Sequence, residues 1–170
     1  MSTAIDFELP LRILIIGAGA TIVMDAWLLL LKRAGLPASN FALLGRLLGH
    51  LAQGTWVRDG VTKAPPIEAE ALLGWVTHYV IGILFAALLV LTAGADWARA
   101  PTFLPALLAG VITVVAPLFI LQPAMGAGVA SMRTPAPLRN SIKSLANHVV
   151  FGVGLYLAAL TSALVLSNRA

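Results

Sequence analysis

The sequence predicts an all-α polytopic membrane protein: a four-helix transmembrane bundle with a short interfacial amphipathic helix. Of its 170 residues, 59% are hydrophobic and only 11% are charged, which is more apolar surface than a soluble domain of this length buries. The apolar residues fall in four charge-poor segments of ~20 residues, the length a helix needs to cross the bilayer core. We treat residues 1–170 as a single membrane domain.

The four spans are placed by the gaps between charged residues. Asp25 is the only charge between Arg12 and Lys32, and the other three segments contain none. Asp6 and Glu8 precede the first apolar run, which is the wrong charge for a cleaved signal peptide, so we expect this run to remain as a span. The predicted transmembrane helices cover residues 10–31, 74–94, 103–123 and 145–166.

The first long loop contains a predicted short helix at residues 39–53. Leu44, Leu48 and Leu51 recur at helical spacing, whereas Arg46 and His50 share another face. This pattern is typical of a helix at the membrane interface, with its apolar face in lipid or against the bundle.

The basic residues are distributed unevenly between the two sides of the predicted bundle. The loops at 32–73 and 124–144 carry eight of the eleven, which favours both loops in the cytoplasm and both termini outside. The net charge of +4 then reflects this asymmetry and contact with anionic lipid, and the absence of a basic run argues against nucleic acid as a partner. The eight are Lys32, Arg33, Arg46, Arg58, Lys63, Arg133, Arg139 and Lys143, and the other three are Arg12, Arg99 and Arg169.

Two similar segments, THYVIG and NHVVFG, lie 70 positions apart. Superposing them aligns His78 with His148 and Gly82 with Gly152. The second and fourth helices then correspond, which suggests a 2+2 parallel repeat of helical hairpins about an axis along the membrane normal. The first and third helices match only loosely, so chance similarity between apolar helices is the competing explanation.

Three ionisable residues are predicted to lie at one depth in the membrane. At ~1.5 Å per residue from the nearest charged anchor, Asp25 lies roughly 10 Å inward, His78 about 12 Å and His148 about 8 Å. A carboxylate there costs on the order of 2–3 kcal/mol, so it needs a partner or a function, and an imidazolium is the cheapest partner. We therefore predict an Asp25–His78–His148 site near the cytoplasmic face.

Further residues are predicted to support this site or to pack the helices around it. Small residues at four-residue spacing let helices approach closely, which predicts packing at Gly17, Gly82 and Gly152. Gln122 ends the third span at a similar level, and the interfacial helix places His50 above the site. The predicted supporting residues are His50, Thr21, Gln122 and Asn147.

Three chemistries fit such a site. The first is a proton or ion relay, and the second is a transition-metal site of two imidazoles and one carboxylate, completed by Gln122 or water, with Thr21 and Asn147 orienting the ligands. The third is haem with two axial histidines, which is less favoured because haem needs a wider cavity. The alternative is a non-catalytic subunit or assembly factor of a larger membrane complex, or a homo-oligomer, in which the polar trio is a structural clasp.

Conventional enzyme signatures are missing from the sequence. It contains no GxSxG, HExxH or Walker motif, and GAGAT lies inside a predicted span, where its glycines serve helix packing. Since the chain has no cysteine, disulfides, thiolate metal sites and thiol nucleophiles are excluded. The sequence therefore favours a protein that is not an enzyme.

Several motifs resemble a bacterial family of small inner-membrane proteins of unknown function. The likeness runs from about Gly17 to Ala159 and includes GAGATIVMDAW, GRLLGH, the stretch around THYVIG, and NHVVFGVGLYLAAL. The resemblance implies a four-span protein of the bacterial inner membrane and supplies no activity. Its pattern matches Asp25, His50, His78, His148, the Gln122–Pro123 pair and a turn at Ser131, Arg133, Thr134 and Pro135.

Overall fold

The computed structural model describes residues 3–36, 39–55, 57 and 60–167, with the backbone alone at 3–6 and 167. These residues form helices and connecting loops, and no strand occurs among them. Arg58 and Arg169, counted above for the orientation, lie outside the described residues. The helices are α1 (Thr3–Arg33), α2 (Phe41–Ala52), α3 (Glu70–Ala93), α4 (Ala95–Arg99), α5 (Phe103–Thr113), α6 (Gln122–Ala124) and α7 (Pro137–Ser167), with a π-helical turn at Ala116–Leu121 and a 3-10 turn at Val129–Ser131.

Four helical segments are long and apolar enough to cross a membrane, as predicted. They are longer than the sequence estimate, because α3 begins at Glu70 instead of residue 74 and α7 at Pro137 instead of residue 145. Hydropathy marks the part of a helix that matches the hydrocarbon, whereas backbone hydrogen bonding continues into the headgroup region. The spans are Phe7–Arg33, Glu70–Ala93, Phe103–Ala124 and Pro137–Leu166.

The distribution of side chains is that of a membrane protein. Small and polar side chains are buried in the interior beside larger apolar ones: Ala20, Thr21 and Ser162 are completely buried, as are Ile16 and Leu155. Large apolar side chains cover the outside, with Leu91 78% and Ile112 64% exposed. Lipid tails are as apolar as the helix side chains, so the hydrophobic effect does not drive the helices together. Close packing of small residues holds them together instead. The chain is therefore a multi-pass membrane protein.

The two ends of the bundle are fixed by contacts between its loops. At one end Arg12, on the first turns of α1, is buried and donates to the backbone carbonyl of Ala98 in α4 at 3.3 Å. At the other end the backbone N–H of Val61 donates to the carbonyl of Met125 at 3.2 Å. The two long loops therefore share one end, and the N-terminal end of α1 lies beside the short α3–α5 connection at the other.

Glycines set the closest helix contacts. A Cβ on Gly82 of α3 would collide with the hydroxyl of Thr21 on α1, and Gly17 of α1 packs against the backbone of α3 at Ile83. On the other side of the bundle, a Cβ on Gly110 of α5 would lie 2.5 Å from the Cα of Gly152 on α7. Both helix pairs, α1–α3 and α5–α7, thus cross at glycines, in keeping with two similar hairpins. The parallel repeat itself stays a prediction.

The short helix α2 lies against the bundle, which is one of the two arrangements its sequence predicts. Gly45 of α2 and Gly74 of α3 bring the two backbones into contact, since a Cβ on either would overlap the other helix. Arg46 donates to both carboxylate oxygens of Glu70 at 2.8 Å, and this carboxylate raises the pKa of the guanidinium, which stays charged. The ion pair fixes α2 to the first turn of α3.

The third span changes helix type at Pro117, where the sequence predicts an interruption. The α-helical stretch ends at Thr113 and continues as a π-helical turn over Ala116–Leu121 before Gln122–Ala124. Proline lacks the N–H that would continue the α-helical hydrogen bonds, which leaves a backbone carbonyl without its usual partner. A local π-helical turn can satisfy such freed backbone groups.

Candidate functional site

Asp25 is bonded to two side chains of α3. Its Oδ1 lies 3.0 Å from His78 Nε2, and its Oδ2 accepts a hydrogen bond from the Tyr79 hydroxyl at 2.9 Å. When Asp25 is a carboxylate, whose oxygens only accept, the Nε2 of His78 carries the hydrogen. The side chains of Asp25 and His78 are 18% and 12% exposed, so the Asp25–His78 pair is not sealed inside the bundle.

Two aromatic rings pack against His78. Phe41, the first residue of α2, stacks on His78 with ring centroids 4.0 Å apart and planes inclined by 23°. Trp75 meets the same imidazole edge-on at 5.9 Å. The Gly45–Gly74 contact places α2 close enough for this stacking, so the interfacial helix is part of the site.

His148 lies at a separate position, buried between α7 and α5. Its Nδ1 is 3.2 Å from the carbonyl oxygen of Gly110 and 3.1 Å from the hydroxyl of Thr113, which itself donates to the same carbonyl at 2.8 Å. A carbonyl only accepts, so Nδ1 carries the hydrogen and the Nε2 of the neutral ring is an acceptor. The close approach of Gly110 to α7 makes these contacts possible.

A small cavity of about 60 Å³ separates the two histidines. Thr21 and Met24 of α1 form one wall, and the remaining lining comes from α3 and α7. Thr21 is completely buried, and it donates its hydroxyl to the Gly17 carbonyl at 2.8 Å. The full lining is Thr21, Met24, His78, Ile81, Gly82, Phe85, His148 and Phe151.

The other predicted site residues have partners of their own. His50 donates from Nε2 to the Pro65 carbonyl at 2.9 Å, which holds the first loop against α2. Asn147 accepts from the indole N–H of Trp27 at 3.0 Å and so links α7 to α1 rather than orienting a histidine. Gln122 joins the second loop to α7, because it donates to Ser144 at 3.1 Å and accepts from Ser131 at 2.9 Å.

The structure thus brings Asp25 and His78 together but does not add His148 as a direct third partner. Within the described ranges, no group of three or more His, Asp or Glu side chains is placed to hold a metal ion. The space beside Gly152, which is predicted as a packing residue, is filled by the backbone of Leu107 on α5. The arrangement consists of hydrogen-bonded donors and acceptors.

Sequence reasoning missed Tyr79, Phe41 and Thr113. Tyr79 follows His78 directly, and its position on the same turn was a usable signal, because Asp25 has two carboxylate oxygens to satisfy. Thr113 lies in an apolar run in which a threonine normally bonds to its own helix. Nothing in the sequence indicates that Phe41 reaches the depth of His78.

Comparison with other proteins identifies a family and no relative of known activity. No curated protein and no solved structure matches the chain. Residues 14–162 match the family model described as "Protein of unknown function (DUF2938)". That match covers most of the spans, the Asp25–His78 pair, the cavity and the second loop, and this chain belongs to that family.

Proposed function

We propose that this is a proton-handling membrane protein in which the Asp25–His78 pair gains and loses a proton. The observation that carries the proposal is the direct 3.0 Å contact between a carboxylate and an imidazole inside two apolar spans. Asp25 is costly in lipid, and a histidine partner lets the pair be neutral overall.

The chemistry of the pair follows from its proton count. With one titrating proton the pair is neutral overall, because a carboxylate faces an imidazolium or a carboxylic acid faces a neutral ring. A second proton makes the pair positive, and loss of the only one makes it negative. The proton count is therefore a property of the pair, and the Tyr79 hydroxyl donates a hydrogen bond to the Asp25 carboxylate at 2.9 Å.

Infrared difference spectroscopy in detergent or liposomes tests the proposal. Changing the pH over about 4 to 9, the range in which carboxyl and imidazole groups ordinarily titrate, should produce a carboxylic-acid C=O band that is lost in Asp25→Asn. The matched control is Asp96→Asn, which removes a fully exposed carboxylate on α4 and should leave the band in place.

A purely structural clasp gives a different result. In that case Asp25→Asn changes thermal stability only, and the difference spectrum of the wild-type protein contains no band that depends on Asp25. That outcome would overturn the proposal and support a non-catalytic subunit or assembly factor, which should co-purify with a larger complex in mild detergent. Metal analysis of the same samples addresses the transition-metal alternative, which predicts stoichiometric metal that His78→Ala removes.

We further propose that the protein lies in a bacterial inner membrane with both long loops in the cytoplasm. The shared end of these loops carries most of the basic residues, and such residues favour the cytoplasmic side. Under this orientation the Asp25–His78 pair lies in the cytoplasmic half of the bilayer, with α2 between it and the headgroups.

A further inference from the structure

We infer that the cavity between His78 and His148 holds water and carries protons between the two histidines, which makes His148 a second proton acceptor. The inference rests on the proposed function of the Asp25–His78 pair and extends it to a residue with no direct contact to Asp25. It starts from the shape of the cavity, whose lining includes both rings.

The cavity has the size and polarity for water. Its volume of about 60 Å³ accommodates roughly two molecules at the ~30 Å³ that each occupies in the liquid. Purely apolar cavities stay dry, and a buried water needs two to four polar partners. His78 and His148 provide such partners on two different helices, whereas Thr21 is completely buried and Phe85 and Phe151 form apolar walls.

Each of the two histidines uses one ring nitrogen in a hydrogen bond to a neighbouring helix. His78 uses Nε2 on Asp25, and His148 uses Nδ1 on Gly110 and Thr113 of α5. Since α5 contributes nothing to the cavity lining, the edge of His148 bonded to α5 is not the edge toward the cavity. Among the described residues no hydrogen bond is found for Nδ1 of His78 or Nε2 of His148, and we assign these two atoms to the cavity water.

The proposed step is a proton transfer in which no group is oxidised or reduced. The proton on Nδ1 of an imidazolium at His78 passes to a cavity water, and that water releases another of its protons to Nε2 of His148. His78 ends neutral and His148 ends as an imidazolium. The reverse sequence returns the proton to the pair.

The surrounding groups define what else titrates near the cavity. Asp25 on α1 and Tyr79 on α3 are bonded to each other next to His78. The other described side chains in contact with the two rings do not titrate: Phe41, Trp75, Phe85, Thr113 and Phe151.

Nuclear magnetic resonance of ¹⁵N-histidine-labelled protein tests the inference, since the chain has three histidines. In the wild type, magnetisation should pass from water to the His148 ring, and Ile81→Phe, which fills the cavity, should abolish this transfer. The matched control is Leu84→Phe on the same helix, whose side chain is 60% exposed and lies outside the lining. After a rapid pH drop, proton uptake by His148 should be at least tenfold slower in Ile81→Phe and unchanged in Leu84→Phe.

The results separate this inference from the proposed function. A dry wild-type cavity, or equal uptake rates in both variants, overturns the relay, while the Asp25-dependent infrared band decides the function of the pair independently. If Ile81→Phe does not fold, the water transfer in the wild-type protein alone still decides whether the cavity is hydrated.

Discussion

The contact between Tyr79 and Asp25 gives the sharpest energetic prediction. Tyr79→Phe removes a hydroxyl that lies 2.9 Å from a carboxylate oxygen on another helix. A hydrogen bond to a charged group contributes about 1.5–3 kcal/mol in soluble proteins, whereas interhelical bonds in membranes average about 0.6 and reach about 1.7 kcal/mol. Because the acceptor here is a carboxylate within an apolar span, we expect a coupling of about 1–2 kcal/mol between the two residues.

A double-mutant cycle isolates this coupling from other effects. The free energy of unfolding is measured in mixed micelles for the wild type, Tyr79→Phe, Asp25→Leu and the double variant, and leucine is chosen because it offers no acceptor. The loss of the Asp25 contact to His78 occurs in both variants that lack Asp25 and cancels. Tyr156→Phe is the matched control, since this other tyrosine of the chain packs its ring on Phe103 at 5.4 Å.

The cycle also has a clear negative result. If the two substitutions add to within about 0.3–0.5 kcal/mol, which is the agreement expected of independent sites, the hydroxyl does not stabilise the carboxylate. The account of Asp25 as a residue held by two donors from α3 would then be wrong.

Three further predictions concern packing, the α2 attachment and topology. Gly110→Val should lower the free energy of unfolding by about 2 kcal/mol or more, because the valine side chain would overlap the α7 backbone. Ala26→Val, at an exposed position of α1, is the control. Equal losses in the two variants would contradict the close contact between α5 and α7. Arg46→Lys should increase amide hydrogen exchange in α2, because lysine lacks the planar guanidinium that makes two parallel hydrogen bonds to Glu70. Unchanged exchange would show that the ion pair does not hold α2. Single cysteines at Met132 and Asp96, both exposed in a chain without cysteine, should react with an impermeant maleimide from opposite sides of the membrane, and labelling from one side would refute the topology.

Much of the fold could be predicted because the bilayer imposes a length and a polarity on each span. The four helices and α2 lie where charge gaps and periodicity place them. The early start of α7 at Pro137 could not be predicted from hydropathy, since its first turns contain Arg139 and Lys143. The partner of each glycine was also beyond the sequence, because small-residue spacing identifies a packing face but not the helix that occupies it.

The site was predicted in part for a similar reason. Depth counting places Asp25 and His78 at one level, and the structure shows them in contact. The same counting cannot give rotation about the helix axis, and His148 turns toward α5, where Thr113 and the Gly110 carbonyl bind it. Depth follows from a count of residues, whereas direction depends on which helix packs on which face.

In the two His-x-x-x-Gly segments, helix packing sets the position of the histidine, and the opposing helix sets the groups that its ring contacts. In both, the glycine lies at a helix crossing, so a neighbouring backbone comes within reach of the histidine one turn earlier. The opposing helix then determines what the ring meets. In the first pair α1 offers the Asp25 carboxylate, which makes His78 part of an ionisable unit. In the second pair α5 offers only a carbonyl and a hydroxyl, which hold His148 by one nitrogen and leave the other as an acceptor. The motif therefore sets two similar positions, and the opposing helix determines whether the ring meets a carboxylate or a backbone carbonyl.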